Sequence, residues 1–335
     1  MGDRLECASF APTQVPDLRT FEHVAPVSAL SVLGADFTFP RAIEGQPTRL
    51  SDFGGLQIGR FRTSDDVELA YWVAGEGEPL VFIPGWSANG ALYVYLMVLL
   101  SRHYRVHVLD VRNQGLSQRV SFGTRISRIA MDLKEFAEHL HLDKAHYCGW
   151  SMGASVLWAY IDLFGTQGVR KLAFIDQAPS IYCHADWTEQ ERLDAGAFTS
   201  SPERMIASYT QMMPVNMLIS GTRVLEHATQ MDSPYYANAL AFAQSIIIDD
   251  MSYTGQVLFD HATNDWRDVI RSKIDAPTAI FSGEYSDWLH SQRWMASVIP
   301  DASLFVYSKA DHGDHFLALK NPLKFSSDLH GFLMR

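Results

Sequence analysis

The pentapeptide Gly149-Trp150-Ser151-Met152-Gly153 is the stretch most suited to covalent chemistry. It follows a strand candidate over residues 144–148 and precedes an apolar run with helical spacing over residues 154–164. A serine at such a strand-to-helix turn sits in strained backbone with its hydroxyl exposed, and the two glycines let strand and helix approach closely. The helix N-terminus supplies free amide donors where negative charge would develop. We therefore predict that Ser151 is a nucleophile, against the competing interpretation of an ordinary N-cap serine.

Two histidines near the C-terminus could supply the base that this serine needs, because a hydroxyl is a weak nucleophile until a base removes its proton. His312 and His315 both follow a strand candidate over residues 303–307. In an open parallel sheet, ligands bind at the loops that follow the carboxyl ends of the strands. The sequence therefore places both histidines at the edge where we expect Ser151.

Three carboxylates could orient that histidine. Asp287 and Glu284 follow the strand candidate over residues 277–283, and Asp176 follows the strand candidate over residues 172–175. Asp287 gives the chain order Ser, Asp, His at successive strand ends, which is one of the orders that such triads use. We favour Asp287 and keep Asp176, and then Glu284, as alternatives. Asp176 could instead be a structural aspartate that accepts hydrogen bonds from backbone amides.

The elements around these residues alternate between strands and helices. An antiparallel hairpin at a sheet edge is predicted over residues 56–73, with its turn at residues 63–66. Buried strands are predicted over residues 80–83, 104–109, 144–148, 172–175, 277–283 and 303–307, and helices over residues 91–101, 126–140, 154–164, 291–298 and 322–332. Such alternation implies right-handed crossovers and an α/β fold whose mostly parallel sheet is covered by helices on both faces.

The alternation stops over residues 182–273, which show helical patterns rich in methionine and aromatic residues. We expect a helical cap over the site there, although these methionines could also simply fill the segment's own core. The chain then divides into an N-terminal extension (residues 1–55), a first core part (56–181), the cap (182–273) and a second core part (274–335). Prolines interrupt the extension, which we expect to pack on the body or to be partly disordered.

The composition argues against several classes of protein. A chain of 335 residues with 47% hydrophobic content can bury a large core, and a formal net charge of −11 disfavours nucleic acid or an anionic membrane as partner. The three cysteines and the other histidines show no disulfide or ligand spacing, so we expect no metal and no other cofactor. The apolar run of residues 91–100 is too short for a membrane span, and the charged N-terminus does not resemble a signal peptide. We expect a cytoplasmic protein that acts on a small molecule, and its oligomeric state stays open.

Taken together, the motifs resemble the α/β-hydrolase superfamily, and within it the serine hydrolases of non-haem chloroperoxidase-like and arylesterase-like type. The resemblance covers roughly residues 60–335. Besides the pentapeptide, it rests on the following motifs: Pro84-Gly85-Trp86, where His-Gly is more usual, Asp110-x-Arg112-x-x-Gly115-x-Ser117, residues 175–179 and 265–269, and His315-Phe316 followed by Asn321-Pro322. These motifs are specific for the superfamily and much less so for a substrate.

The resemblance implies an α/β-hydrolase fold with a Ser-His-Asp triad. It favours His315 as the base, because the catalytic histidine of the family typically lies seven residues before a proline that begins the final helix, and Pro322 fits this spacing. His312 would need three extra residues. Asp287 has the position expected for the acid, after the sixth core strand, whereas some members of the superfamily take the acid from the place of Asp176.

The resemblance also implies an oxyanion hole that uses the backbone amides of Met152 and Trp86. We expect the rings of Trp86 and Trp150 to line the substrate pocket, although a lone tryptophan more often belongs to a core. The expected reaction is hydrolysis of a carboxylic ester or lactone of a fairly apolar small molecule through an acyl-enzyme, and the sequence does not distinguish a thioester or a C–C bond from these. The alternatives are a cofactor-free haloperoxidase or perhydrolase, and a ligand-binding protein that keeps this fold without turnover.

Overall fold

A nine-stranded sheet organises the part of the chain that the structure describes, a computed structural model covering residues 25–197, 222–246 and 253–335. The strands are β1 (Val27–Ser28), β2 (Gln57–Arg62), β3 (Glu68–Ala74), β4 (Glu78–Ile83), β5 (Tyr104–Leu109), β6 (Ala145–Trp150), β7 (Val169–Ile175), β8 (Thr278–Gly283) and β9 (Ala302–Tyr307). Their order is β1-β2-β3-β5-β4-β6-β7-β8-β9. Strands β1, β2, β3 and β5 pair antiparallel, and all pairs from β5 through β9 are parallel. The predicted α/β fold with a mostly parallel sheet is confirmed.

Helices connect the parallel strands, as parallel pairing requires. They are α1 (Ala29–Leu33), α2 (Val94–Leu100), α3 (Ile126–His139), α4 (Met152–Phe164), α5 (Glu189–Ala195), α6 (Arg223–Ala228), α7 (Pro234–Ser245), α8 (Thr254–Thr263), α9 (Arg267–Ser272), α10 (Leu289–Val298), α11 (Leu317–Lys320) and α12 (Pro322–Leu333). Short 3-10 turns lie at Leu50–Asp52, Gly90–Tyr93 and Lys309–Asp311. Among the described residues, none of these helices is long and apolar enough to cross a lipid bilayer.

Two apolar cores lie on opposite faces of the sheet. One joins the sheet to α2, α7 and α12, and the other joins it to α3, α4 and α9. Strand β6 is buried along its whole length and sends Cys148 into the first core and Tyr147 into the second. Because both faces of the central strands are covered, their sequences read as continuous apolar runs.

The regular elements described between β7 and β8 are all helices. Helices α5 to α9 lie there, and the described residues of this segment contain no strand. Of the methionines behind the cap prediction, Met205, Met212, Met213 and Met217 lie outside the described residues. The division of the chain into core, cap and extension stays a prediction.

The described part of the N-terminal extension packs on the body. Strand β1 pairs with β2, so the edge of the sheet lies at β1 and not at the hairpin as we expected. Phe39 is buried, and its ring centroid lies 5.2 Å from that of Phe53 and 5.8 Å from that of Tyr95 on α2. The extension therefore contributes aromatic side chains to the first core. Residues 1–24 lie outside the described ranges.

Candidate active site

Ser151 lies at the sharp turn between β6 and α4. Its backbone has φ 54° and ψ −128°, which an L-residue rarely adopts. A Cβ atom on Gly153 would collide with the carbonyl oxygen of Ile83 in β4, and a Cβ on Gly149 would collide with the backbone of Gly153. The two glycines are therefore required by the close approach of the turn to the sheet.

The backbone amides of Met152 and Trp86 are the two that we expect to form an oxyanion hole beside this serine. Met152 is the first residue of α4, so its N–H has no acceptor within the helix. Residues 84–89, called the oxyanion loop because we expect them to supply the second amide, run against the turn, since a Cβ built on Gly85 would lie 3.1 Å from Ser151 Cβ. Trp86 follows in this loop, is half-buried, and donates from its indole Nε1 to Thr254 O at 2.8 Å. This bond connects the oxyanion loop to helix α8.

Asp110 binds the backbone directly after the oxyanion loop, a role that its motif did not suggest. Its fully buried carboxylate accepts hydrogen bonds from Gly90 N (2.7 Å), Leu116 N (2.9 Å) and Trp72 Nε1 (3.1 Å). Burial raises the pKa of Asp110 to about 6, and the donors oppose that rise by stabilising the charged form. This one carboxylate thus connects three parts of the chain. They are Trp72 in β3, Gly90 at the start of the 3-10 turn, and Leu116 in the loop after β5.

His315 and Asp176 form a buried pair. His315 Nδ1 lies 2.9 Å from Asp176 Oδ2, and the other carboxylate oxygen accepts from Ser282 Oγ at 2.8 Å. Because a carboxylate can only accept, Nδ1 carries the proton, and Nε2 is left as the proton acceptor of the ring. Asp176 directly follows β7 and has φ 44°, a strained conformation that turns its side chain. The arrangement can hold a histidine base in one tautomer.

Asp287, our favoured acid, does not contact this histidine. Its exposed carboxylate accepts from the backbone amides of Arg223 (2.7 Å) and Val224 (3.3 Å), at the N-terminus of α6. The chain after β8 closes a turn in which Ser286 N donates to Gly283 O at 3.0 Å, and this turn carries Asp287 outward. The contact that we expected for Asp287 is made by Asp176.

Glu284 and His312 also lie away from the pair. The exposed carboxylate of Glu284 accepts from Lys309 N at 3.0 Å. His312 has a left-handed backbone, and its Nδ1 lies 3.3 Å from Asp232 Oδ2 on the segment before α7. Of the two histidines and three carboxylates that the sequence offered, the structure brings together only His315 and Asp176.

Trp150, which we expect to line the substrate pocket, contacts the segment that carries His315. It is buried, and its indole Nε1 donates to the carbonyl oxygen of His315 at 2.8 Å. Its ring centroid lies 5.3 Å from that of His315 and 5.4 Å from that of Phe316. Trp288 packs edge to face on His315 with a centroid distance of 5.1 Å, a contact that sequence reasoning missed. In the sequence, Trp288 is marked only by its position among polar residues after a buried strand.

No group of three or more His, Cys, Asp or Glu side chains that could hold a metal ion occurs within the described ranges. The buried histidines of β5 and β6 have separate surroundings: His146 Nε2 lies 3.3 Å from Glu78 Oε2, and the ring of His107 packs against those of Tyr71 and Phe136. The pKa of His107 is lowered to about 3, chiefly because burial disfavours the charged ring. This edge of the sheet carries the Ser151 turn and the buried His315–Asp176 pair.

Known proteins resemble this chain over most of its length. Non-heme chloroperoxidase CPO-A1 of Kitasatospora aureofaciens is 27% identical over 284 residues, which are 81% of this chain and 98% of that protein. A pimeloyl-(acyl-carrier protein) methyl ester esterase of Aliivibrio fischeri is 24% identical over 266 residues, 78% of this chain and 96% of that protein. The structure of an esterase from Exiguobacterium antarcticum superposes with a TM-score of 0.65 at 21% identity, covering 82% of this chain and 99% of that one.

The family model for the alpha/beta hydrolase fold matches residues 78–319, a range that runs from β4 through α11. This range includes the strained serine, the histidine–aspartate pair and the oxyanion loop. Most of the chain is thus matched by one family, and the strand order and the sharp turn after β6 agree with the resemblance read from the sequence. The chain belongs to the α/β-hydrolase-fold family.

Proposed function

We propose that the protein is a serine hydrolase that cleaves a carboxylic ester or lactone of a fairly apolar small molecule through an acyl-enzyme. The observation that carries the proposal is the buried His315–Asp176 pair, 2.9 Å apart, at the same sheet edge as the strained turn of Ser151. A histidine fixed in one tautomer by a carboxylate is what a serine nucleophile needs as its base.

In the proposed reaction, Ser151 Oγ attacks the substrate carbonyl while His315 Nε2 takes its proton. Asp176 stabilises the imidazolium that forms, and the amides of Met152 and Trp86 donate to the developing oxyanion. The histidine then gives the proton to the leaving alkoxide. A water molecule, activated by the same ring, attacks the acyl carbonyl and releases the acid and free Ser151. Asp176 takes the role that the sequence prediction gave to Asp287.

Two lines of support bear on the substrate, one on its ester bond and one on its apolar character. The relatives from Aliivibrio fischeri and Exiguobacterium antarcticum are named for ester hydrolysis, and both are covered almost completely by this chain. The half-buried ring of Trp86 and the aromatic-rich segment between β7 and β8 favour an apolar acyl or alcohol group.

Labelling with a fluorophosphonate probe tests the proposal most directly. The purified protein should react with one probe molecule per chain and should hydrolyse p-nitrophenyl esters of graded chain length. Ser151→Ala should lose both properties, because the nucleophile is gone. Retention of most of the esterase rate by Ser151→Ala would end this proposal, and an unlabelled, inactive wild type would favour a ligand-binding protein.

A peroxide-dependent reaction is the second candidate, and the similarity to non-heme chloroperoxidase CPO-A1 over 98% of that protein favours it. The same acyl-enzyme would be attacked by hydrogen peroxide in place of water, releasing a peracid that oxidises halide. Such halogenation should require a carboxylic acid in the buffer. Halogenation that continues without any carboxylic acid would argue against this route.

A further inference from the structure

Helix α7 touches the segment that carries the histidine. Ser233, its N-cap, donates from Oγ to the carbonyl oxygen of Lys320 at 2.6 Å. The buried ammonium of Lys320 lies 2.9 Å from Asp232 Oδ1, just before the helix, and 2.9 Å from Asp314 Oδ2. Asp314 directly precedes the catalytic histidine, and its second oxygen accepts from Phe316 N at 2.7 Å. The N-terminal end of α7 is therefore fastened to the histidine loop (residues 308–316).

The other end of α7 touches the oxyanion loop. Asn89, the last residue of that loop, donates from Nδ2 to Ala243 O at 3.3 Å. One residue earlier on the helix, Phe242 packs edge to face on Trp72, with a centroid distance of 6.0 Å, and Trp72 in turn donates to the buried Asp110. A single helix thus contacts both parts of the proposed catalytic machinery that lie outside the serine turn.

The outer side of α7 is held by the N-terminal extension. Asn238, in the middle of the helix, is fully buried, and its amide satisfies both peptide groups of Arg41: Oδ1 accepts from Arg41 N at 2.8 Å, and Nδ2 donates to Arg41 O at 2.9 Å. Nδ2 also donates to Tyr95 Oη at 2.8 Å. The rings of Phe37 and Phe39 pack on Phe242 with centroid distances of 4.9 and 5.7 Å.

We propose that residues 25–55 act as a strap that fixes helix α7, and that Asn238 is a positioning residue through which the strap sets the geometry of the oxyanion loop and the histidine loop. The proposal rests on the hydrolase function proposed above. The strap precedes residues 78–319, the part matched by the family, so the shared activity of the family does not account for it.

The physical reason is that the fully buried amide of Asn238 fastens the strap to the helix through the N–H and C=O of Arg41, which is itself an exposed residue. Without that amide, the N–H and C=O of Arg41 bond to water instead, and the strap can separate from the helix. Because α7 is bonded at both ends to catalytic loops, its displacement moves those loops, and misplacement of about 1 Å at reacting groups lowers rates by as much as 10²-fold.

Two variants at Asn238 test the strap against a matched control. Asn238→Ala removes all three hydrogen bonds, and Asn238→Asp keeps the acceptor for Arg41 N but loses both donors. Phe136→Leu weakens the core on the opposite face of the sheet, where Phe136 is buried between α3 and the strands. Each protein is assayed at the same interval below its own melting temperature, with kcat expressed per fluorophosphonate-labelled site.

We expect kcat of Asn238→Ala to fall about tenfold or more, with a smaller fall for Asn238→Asp, while Phe136→Leu stays within about twofold of the wild type. Hydrogen exchange should quicken at residues 86–89 and 312–316 in the Asn238 variants and not in Phe136→Leu, and this readout needs no turnover. If Asn238→Ala does not fold, Tyr95→Phe, which removes one acceptor, should show the same pattern at smaller amplitude.

Equal kcat and equal exchange in the Asn238 variants and in Phe136→Leu would overturn the strap. That result leaves the hydrolase function untouched, because the wild type would still be labelled and active. A wild type without labelling or turnover overturns the function instead, and the exchange measurement then still decides whether Asn238 controls the two loops.

Discussion

Ser151 and Asp176 share an unusual backbone conformation, with φ 54° and φ 44°. A non-glycine residue in this region costs about 1–3 kcal/mol and persists only where its surroundings impose it. Three contacts fix Asp176 in this conformation. Its N–H donates to Phe281 O at 2.9 Å, and its carboxylate lies between Ser282 and His315. Two of the residues with positive φ thus directly follow the neighbouring strands β6 and β7, at the same edge of the sheet.

The indole of Trp150 gives a prediction at the same scale. Trp150→Phe keeps an aromatic ring against His315 but removes the N–H that donates to its carbonyl oxygen. A hydrogen bond of this kind contributes about 1 kcal/mol, so kcat should fall about fivefold as the histidine gains freedom. Steady-state kinetics with a p-nitrophenyl ester measures the change.

Trp158 offers a matched control, because it is also fully buried and its Nε1 has no hydrogen-bond partner within the described part of the chain. Trp158→Phe should leave kcat within about twofold of the wild type, since no bond is lost. If both substitutions lowered kcat equally, packing alone would explain the loss, and Trp150 would have no special part in holding the histidine.

The sequence could nominate Ser151 through its flanking glycines at a strand end, and His315 through the distance from Pro322 that the resemblance to the family implies. The carboxylate that would orient the histidine has no comparable feature in the sequence around it. Asp287 and Asp176 both follow buried strands, and the choice depends on which way each chain turns after its strand. That direction depends on contacts between distant loops, such as the bond from Tyr285 N to Gly313 O at 2.8 Å, which no local pattern reveals.

At the scale of elements, prediction succeeded where the pattern of apolar residues is regular. Strand β5 has the predicted bounds, and α3 ends one residue short of the predicted helix. Between β4 and β5, the predicted helix at residues 91–101 begins instead as a 3-10 turn at Gly90–Tyr93. The N–H of Gly90, at the start of this turn, donates to the distant Asp110 carboxylate, a tertiary contact that no local pattern could predict.

Elements with little apolar patterning were missed or were left unplaced. Strand β1 consists of two exposed residues, Val27 and Ser28, and it forms because β2 offers an unpaired edge. Helix α7 buries polar Asn238 along with its apolar residues, so its core face does not show a clean helical period. The contact between the N-terminal extension and α7, made by Arg41 and Asn238, is likewise a tertiary contact that no pattern in the sequence predicts.

At the scale of the whole molecule, two buried histidines make stability depend on pH. Burial lowers the pKa of both His107 and His261 to about 3, well below the usual value of 6.5. Each ring binds a proton more readily in the unfolded chain, so the folded state is favoured above pH 6.5 and loses stability as pH falls from there towards 3. Asp110, whose pKa is raised to about 6, acts in the opposite direction between its unfolded value of 3.8 and pH 6.

Because two histidines outweigh one aspartate, we expect these three groups together to make the free energy of unfolding rise with pH between about 4 and 6.5. Replacing His261 by Phe removes one of the two contributions and should reduce that slope by up to about 1.4 kcal/mol per pH unit. Urea unfolding at a series of pH values measures it. An unchanged slope in His261→Phe would show that this ring is already protonated, or exposed, in the folded protein.

The identity of the acid is the most direct test of the proposed site, because the sequence pattern and the observed geometry give different answers. If Asp176 orients His315, Asp176→Asn should lower kcat/KM for a p-nitrophenyl ester by about 10³-fold or more, through loss of the correct tautomer. Asp287→Asn should stay within about threefold, since Asp287 only caps α6. A large loss in Asp287→Asn, with Asp176→Asn close to the wild type, would contradict the account.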